Sequence, residues 1–293
     1  ALPFQANRRY LHDRTVEALG LLYAMHWPYR QVETARPVRT SPLHDRLKAA
    51  GACFGETAGW KRPNWYAPAG VEPRYEYSYG RQNWFEHCAA ECRAAREGVA
   101  LFDQSSFAKF LVEGPDAEAV LQRICAGDVS GPPGKVTYTQ WLNERGGIEA
   151  DLTVTRLAED RYLVVTAAAA QVRDMAWLRA NIPSEARAVA TDVTSGYAVL
   201  GVMGPKSRDL LAGLVDAELT NDAFPFGTAQ EVDIGYGRGW ALRISYVGEL
   251  GWEFYLPSEF APGVYDTLAA AGADFGLRHA GFHALDALRM EKG

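Results

Sequence analysis

The sequence predicts an α+β protein in which a strand–helix–hairpin–helix unit is used twice. The prediction rests on a gap-free internal match, on hairpin-like alternation after each copy, and on a helical pattern after each hairpin. In the match, FLVEGPDAEAVLQRI (110–124) aligns on LGVMGPKSRDLLAGL (200–214) at an offset of 90, so Val112/Val202, Gly114/Gly204, Pro115/Pro205 and Leu121/Leu211 coincide. Each copy reads as a strand that stops at glycine. Proline then takes the first helical position, where a missing N–H costs nothing. Apolar residues follow at spacings of three and four. Further helices are expected over 169–182 after the first hairpin and 262–271 after the second. Strands joined by hairpins and interleaved with helices favour mixed or antiparallel sheets over a doubly wound parallel one. A duplicated unit leaves a cleft that both hairpins can line.

The two hairpins hold the candidate site. In TYTQWLNERGGIEADLTV (137–154), a turn at Asn143–Gly146 sets Tyr138 opposite Asp151. In RISYVGELGWEFYLP (243–257), a turn at Gly248–Gly251 sets Tyr246 opposite Glu253, with Glu249 at the solvated tip. Directly opposed residues of an antiparallel pair can act on one ligand. An aromatic face beside a carboxylate suits a flat heterocycle rich in N–H donors. Asp151, Thr153 and Thr155 point one way along their strand, and Leu152 and Val154 the other. Glu253 lies between Trp252 and Phe254, where a carboxylate is costly unless something pairs with it.

Composition narrows the function classes. With 48% hydrophobic and 23% charged residues the 293-residue chain is an ordinary globular sequence, long enough for a large core. A net charge of −6 without any basic run argues against nucleic acid and anionic membrane as partners. No apolar stretch approaches a membrane span, and ALPFQANRRYLHDR lacks the apolar centre of a signal peptide. The expected location is cytoplasmic, or the mitochondrial matrix in a eukaryote. Cys53, Cys88, Cys92 and Cys125 read as reduced thiols. Cys88 and Cys92 stand beside His87 on an expected helix, but no second pair at zinc spacing accompanies them, so no metal is expected. Gly146-Gly147 lacks the strand–loop–helix setting of a dinucleotide site.

The N-terminal stretch opens with a helical pattern over 11–25 and continues as extended, Pro- and Arg-marked chain. The segment 67–80, rich in Pro, Gly and Tyr, reads as a linker. This gives an N-terminal segment, 1–72, and a main domain, 80–293. The amphipathic ALDALRMEKG (284–293) reads as leading into more chain, as in a piece of a longer polypeptide.

GVALFDQSSF (98–107), YTQWLNERGGIEADLTVTRL (138–157), SYVGELGWEFYLP (245–257) and AGFHALDALRMEKG (280–293) resemble the folate-binding part of the glycine-cleavage T-protein family. They are closer still to the C-terminal half of sarcosine and dimethylglycine dehydrogenases and oxidases. RYLHDRTVEALGLLYAMHWP (9–28), PVRTSPLHDRL (37–47) and GWKRPNWYAP (59–68) resemble only that second branch, where they end the flavin half. The resemblance implies a tetrahydrofolate pocket in which Glu253 grips the pterin edge and Asp151 stands beside the reactive nitrogens. Tyr138, Thr153, Tyr246 and Tyr255 would line the same pocket. It also implies FAD in the full-length parent, at a site outside this segment. The partners implied are an N-methyl amine or iminium, a folate and the parent's flavin domain. The activity implied is one-carbon transfer from an oxidised N-methyl amine of sarcosine or dimethylglycine type, giving 5,10-methylenetetrahydrofolate. Two departures stand out: Leu285 replaces a T-protein arginine, and Ala150 replaces a second acid before the aspartate. The first argues against aminomethyl-lipoyl chemistry. A T-protein-like transferase, a flavin-independent demethylase and a non-catalytic folate-binding module remain as alternatives.

Overall fold

The computed structural model describes residues 2–292. Its N-terminal part comprises α1 (Arg8–Leu21), β1 (Arg39–Thr40), α2 (His44–Ala49), β2 (Ala52–Thr57) and β3 (Trp60–Tyr66). Helix α1 starts earlier than its apolar pattern because the Asn7 side chain accepts the N–H groups of Arg9 and Tyr10 at 3.0 and 3.1 Å. The stretch read only as extended chain is a three-stranded sheet ordered β1-β3-β2. Its hairpin turns at Ala58-Gly59, both left-handed (φ 51° and 79°). Alanine is a poor advertisement for such a turn, which is why composition did not reveal it. Residues 67–80, read as a linker, carry no helix or strand.

The rest of the chain runs α3 (Phe85–Glu97), β4 (Ala100–Asp103), β5 (Ala108–Glu113), α4 (Ala117–Ile124), β6 (Val136–Leu142), β7 (Ile148–Ala158), β8 (Arg161–Thr166), α5 (Gln171–Ala180) and β9 (Val189–Asp192). It continues with β10 (Tyr197–Met203), α6 (Ser207–Leu211), β11 (Ala229–Ile234), β12 (Gly237–Leu242), β13 (Gly251–Pro257), α7 (Ala261–Gly272), β14 (Arg278–His279) and α8 (Phe282–Lys292). One sheet is ordered β6-β7-β8-β5-β9 and the other β11-β12-β13-β10-β4-β14. The common order bears out the duplication and the α+β class. Each unit, however, has a three-stranded meander where the sequence suggested a hairpin.

The copies also exchange strands. β4 leads directly into β5 yet pairs with β10, while β9 leads into β10 yet pairs with β5. The repeated glycine explains how this is possible. Gly114 and Gly204 have φ of 127° and 132°, and a Cβ on either would collide with a backbone carbonyl, that of Arg187 or Gly98. Those carbonyls belong to the segments entering β9 and β4, so each glycine admits the strand lent by the other copy. Gly204→Ala is therefore expected to lower stability by about 2–4 kcal/mol. Gly213→Ala, where the added Cβ meets nothing within 4 Å, should change little. Urea unfolding monitored by tryptophan fluorescence measures both.

The two sheets face each other. Val136, Leu163 and Val165 of one pack against Val199, Leu242 and Tyr255 of the other. The β6 and β11 ends are tied by Val136 N–H to the Gly227 carbonyl (2.9 Å) and Ala229 N–H to the Gly134 carbonyl (2.7 Å). The outer face of the first sheet is covered by α4 and α5, and that of the second by α6 and α7. A further cluster joins β3, α3 and α8 through Trp65, Trp84, Phe282 and Leu285.

Both expected hairpin registers are corrected. Tyr138 lies opposite Thr153, and Asp151 opposite Gln140. The loop is one residue longer than a four-residue turn, with Leu142 paired to Ile148, and a bulge next to it adds the second residue. A two-residue shift preserves facing, so Tyr138 and Asp151 remain diagonal neighbours on one face. The second expected hairpin does not form. β12 ends at Leu242, Leu242 pairs with Glu253, and 243–250 is a loop, so Tyr246 has no strand partner. In the duplicated topology β13 corresponds to β8, not to β7, and the two Tyr–acid pairs are not equivalent.

Candidate functional site in the seam between the sheets

Strand alternation sets the first wall. Ala150, Leu152 and Val154 enter the core under α4 and α5, which turns Asp151, Thr153 and Thr155 toward the opposite sheet. Asp151 is exposed and accepts a hydrogen bond from Gln140 Nε2 at 3.0 Å. Tyr138, on the same face, is 66% exposed. The Asp151 carboxylate beside its hydroxyl holds that phenol above its ordinary value. Thr153 is half-buried between them and the seam.

Tyr246 approaches from the 243–250 loop. Its ring lies 5.7 Å from that of Phe107, and its hydroxyl accepts from Arg289 Nη1 at 2.9 Å. The loop is pinned by Arg96, which donates to the Val247 carbonyl (2.7 Å), Glu249 (2.8 Å) and the Leu288 carbonyl of α8 (3.1 Å). Glu249, expected at a solvated tip, is thus an anchor of the loop. The Arg289 guanidinium is held above its ordinary value by Tyr246 first and also by Asp151. Both expected tyrosines and the aspartate therefore share one electrostatic neighbourhood.

Glu253 and Tyr255 occupy the buried base. Two residues apart on β13, they share a face, and Tyr255 donates its hydroxyl to Glu253 Oε2 at 2.8 Å. Gln104 Nε2 donates to Glu253 Oε1 at 3.1 Å. Glu253 is 5% exposed, and burial pushes its carboxyl above the usual range against the pull of these two donors. Tyr255 is 1% exposed, so its hydroxyl positions Glu253 and does not reach solvent. Gln104 Oε1, on the side chain that donates to Glu253, is buried without a partner, as is Thr155 Oγ1 of β7. A ligand edge carrying parallel N–H groups meets acceptors of this kind, and flat aromatic rings wall the approach.

Sequence reasoning missed Gln104, Phe107 and Arg289. All three lie in stretches that carry the resemblance, yet nothing in their local pattern marks them, because each acts only through a partner distant in sequence. Two histidines flanking the start of α8 are packed. His283 stacks 4.2 Å from Trp84, and His279 shares a 2.7 Å hydrogen bond with the Tyr265 hydroxyl. Burial holds both down to about 4. Leu285, the departure at the arginine position, is 2% exposed and part of the α3–α8 core. Cys88 and Cys92 face α8 with no metal-binding cluster among the described residues.

Residues 43–293 match the family model described as the GCVT N-terminal domain, and residues 2–41 match the FAD dependent oxidoreductase central domain. The chain is 51% identical over 289 residues to the 4-methylaminobutanoate oxidase (formaldehyde-forming) of Paenarthrobacter nicotinovorans, covering 99% of this chain and 35% of that protein. It is 34% identical to the mouse mitochondrial pyruvate dehydrogenase phosphatase regulatory subunit, covering 98% and 34%. It is 35% identical to mouse mitochondrial sarcosine dehydrogenase, covering 98% and 35%. The chain thus spans about a third of the length of these relatives. Among solved structures, the glycine cleavage system aminomethyltransferase T of Bartonella henselae superposes with a TM-score of 0.70 at 29% identity, covering 87% of this chain and 62% of that one. No helix among the described residues is long and apolar enough to cross a membrane.

Proposed function

We propose that this chain, which belongs to the GCVT N-terminal domain family, holds a reduced folate in the seam and promotes one-carbon transfer to it. The donor in this reading is an oxidised N-methyl amine (iminium) of sarcosine or dimethylglycine type, whose methylene carbon passes to the folate to give 5,10-methylenetetrahydrofolate as its bond to nitrogen breaks and the demethylated amine leaves. Residues 80–293 form the folate unit. Residues 1–72 end the flavin half of a longer, FAD-dependent protein, which would generate the iminium and select the amine. The observation that carries the reading is Glu253, a carboxylate buried at the base of the seam beside the unpartnered Gln104 Oε1.

When bound, tetrahydrofolate supplies the nucleophilic nitrogens that accept the carbon. Glu253 accepts the paired N–H groups of the pterin edge, and charge-assisted bonds of this kind are the strong ones. Tyr255 and Gln104 hold that carboxylate in place. Tyr138, Tyr246 and Thr153 line the approach, and the tyrosines with Phe107 offer aromatic faces for the folate to lie against. Asp151, at the open end, orients the reacting nitrogens, stabilises positive charge beside them and takes up the proton released. Positioning supplies most of the gain, since an iminium and an amine combine readily.

Calorimetric titration with 5-formyltetrahydrofolate tests the reading. Saturable 1:1 binding is expected, and the absence of binding would overturn it. A second reading, a non-catalytic folate-binding module, is favoured by the likeness to a regulatory subunit. Tight binding without acceleration of the formaldehyde–tetrahydrofolate condensation would select it.

A further inference from the structure

Among the described residues, the ammonium of one fully enclosed lysine has only backbone carbonyls as its hydrogen-bonding partners. Lys109, on β5, is 0% exposed, and its Nζ donates to the Ser105 carbonyl at 2.8 Å and the Phe107 carbonyl at 2.9 Å. Burying an ammonium without a salt bridge is expensive, and an aliphatic side chain would fill the same space at lower cost. The two carbonyls belong to the 104–107 segment. That segment carries Gln104, the donor to Glu253, and Phe107, the ring against Tyr246.

We infer that Lys109 is a positioning residue whose buried ammonium fastens the 104–107 segment so that Gln104 and Phe107 are presented to the seam. The inference rests on the folate reading for its consequence, not for its geometry. The Gln104–Ser105 end of the segment is held three times more, by Gln104 N–H donating to the Val199 carbonyl (2.9 Å), by Asp103 Oδ1 accepting Ser105 N–H (3.0 Å) and by Ser105 Oγ accepting Val199 N–H (3.0 Å). The Phe107 carbonyl depends on Lys109. The lysine is itself set by Thr194, whose Oγ1 accepts its N–H at 3.1 Å and also bonds Gln171 at 3.2 Å. Gln171 in turn accepts from Arg39 Nη1 of β1 at 3.0 Å. The segment is thereby tied to the N-terminal sheet.

The charged groups facing Lys109 are Asp103 of β4, Asp192 of β9 and Arg39 of β1. Burial takes the ammonium down to about 7, with Arg39 lowering it further and the two aspartates opposing. The neutral amine is the weaker donor, so the fastening loosens as pH rises through that value. Stability moves the other way. A lysine whose folded value lies below the ordinary 10.5 adds stability as pH rises from about 7 toward 10.5, because the unfolded chain binds the extra proton. Lost affinity in this range cannot then be assigned to unfolding through this group.

The test is calorimetry of the chain with 5-formyltetrahydrofolate from pH 6 to 9, paired with amide hydrogen exchange of the free protein. Wild-type affinity is expected to fall about tenfold across the transition, the scale of a charge-assisted hydrogen bond. Lys109→Met should bind about tenfold more weakly at low pH, show no alkaline transition, and exchange the Gln104 and Phe107 amides faster. Lys109→Arg, charged throughout, should keep its low-pH affinity at pH 9. A flat wild-type profile, or Lys109→Met exchanging and binding like wild type, overturns the inference. Faster exchange at 104–107 in a protein that binds no folate at any pH would instead sink the folate reading and leave the fastening intact. If Lys109→Met does not fold, the wild-type and Lys109→Arg profiles decide.

Discussion

Glu253→Gln is expected to weaken 5-formyltetrahydrofolate binding by on the order of a hundredfold while leaving the thermal midpoint equal to wild type or higher. The amide has nearly the shape of the acid but offers one acceptor and one donor where the carboxylate offers acceptors only. A ligand edge with two N–H groups then meets one opposed donor in a site that water does not reach. Stability moves differently because Glu253 is buried and its carboxyl is already pushed up. Removing a charge from a low-dielectric site relieves its desolvation cost, and the Tyr255 hydroxyl and Gln104 amide keep a polar partner. The raised carboxyl also sets the sign with pH. Stability from burying the neutral form is present below the ordinary 4.5 and is lost as pH rises through the higher folded value, a slope that Glu253→Gln should remove. Calorimetric titration and scanning calorimetry read the two effects separately. Wild-type affinity in the variant would eliminate Glu253 as the pterin ligand.

Asp151→Asn is expected to bind the folate within about threefold of wild type and to slow methylene formation by about a hundredfold or more. The side chain is exposed at the open end of the seam and is oriented by Gln140, so the asparagine can keep its place. What disappears is the negative charge beside the reacting nitrogens and the base that takes up their proton. The neighbouring Arg289, already bonded to the Tyr246 hydroxyl, would lose an opposing charge and add to the loss. Stopped-flow measurement of condensation between formaldehyde and tetrahydrofolate, corrected for the uncatalysed rate, checks this. A rate equal to wild type would remove Asp151 from the chemistry and favour a module that only binds.

Much of the architecture could be read from local pattern. The Gly-Pro pair at 114–115 and 204–205 announced a strand, a stop and a helix twice over, and the period-two pattern of 150–155 assigned each side chain of β7 its face. Those features depend on neighbours in sequence, where backbone sterics and the pleat of a strand dictate the outcome. Register was harder to read. A bulge beside Trp141 and an early end to β12 are settled by contacts across strands, so Tyr138 shifted by two partners and Tyr246 left the sheet altogether. The Ala-Gly turn of the β2–β3 hairpin was hidden because its left-handed alanine is held by the sheet around it.

By itself the sequence determined the duplicated unit, the burial of Glu253 among aromatics and the facing of Asp151 and Thr153, since each follows from short-range geometry and hydropathy. Only the tertiary structure decided that the two copies trade their leading strands, that Gln104 and Tyr255 clasp Glu253, and that Lys109 is enclosed beneath the segment carrying Gln104. Those arrangements join residues up to about 150 positions apart, as in the Gln104–Glu253 bond with its separation of 149. At that distance the closing of the fold, and not the preference of any residue, chooses the partner.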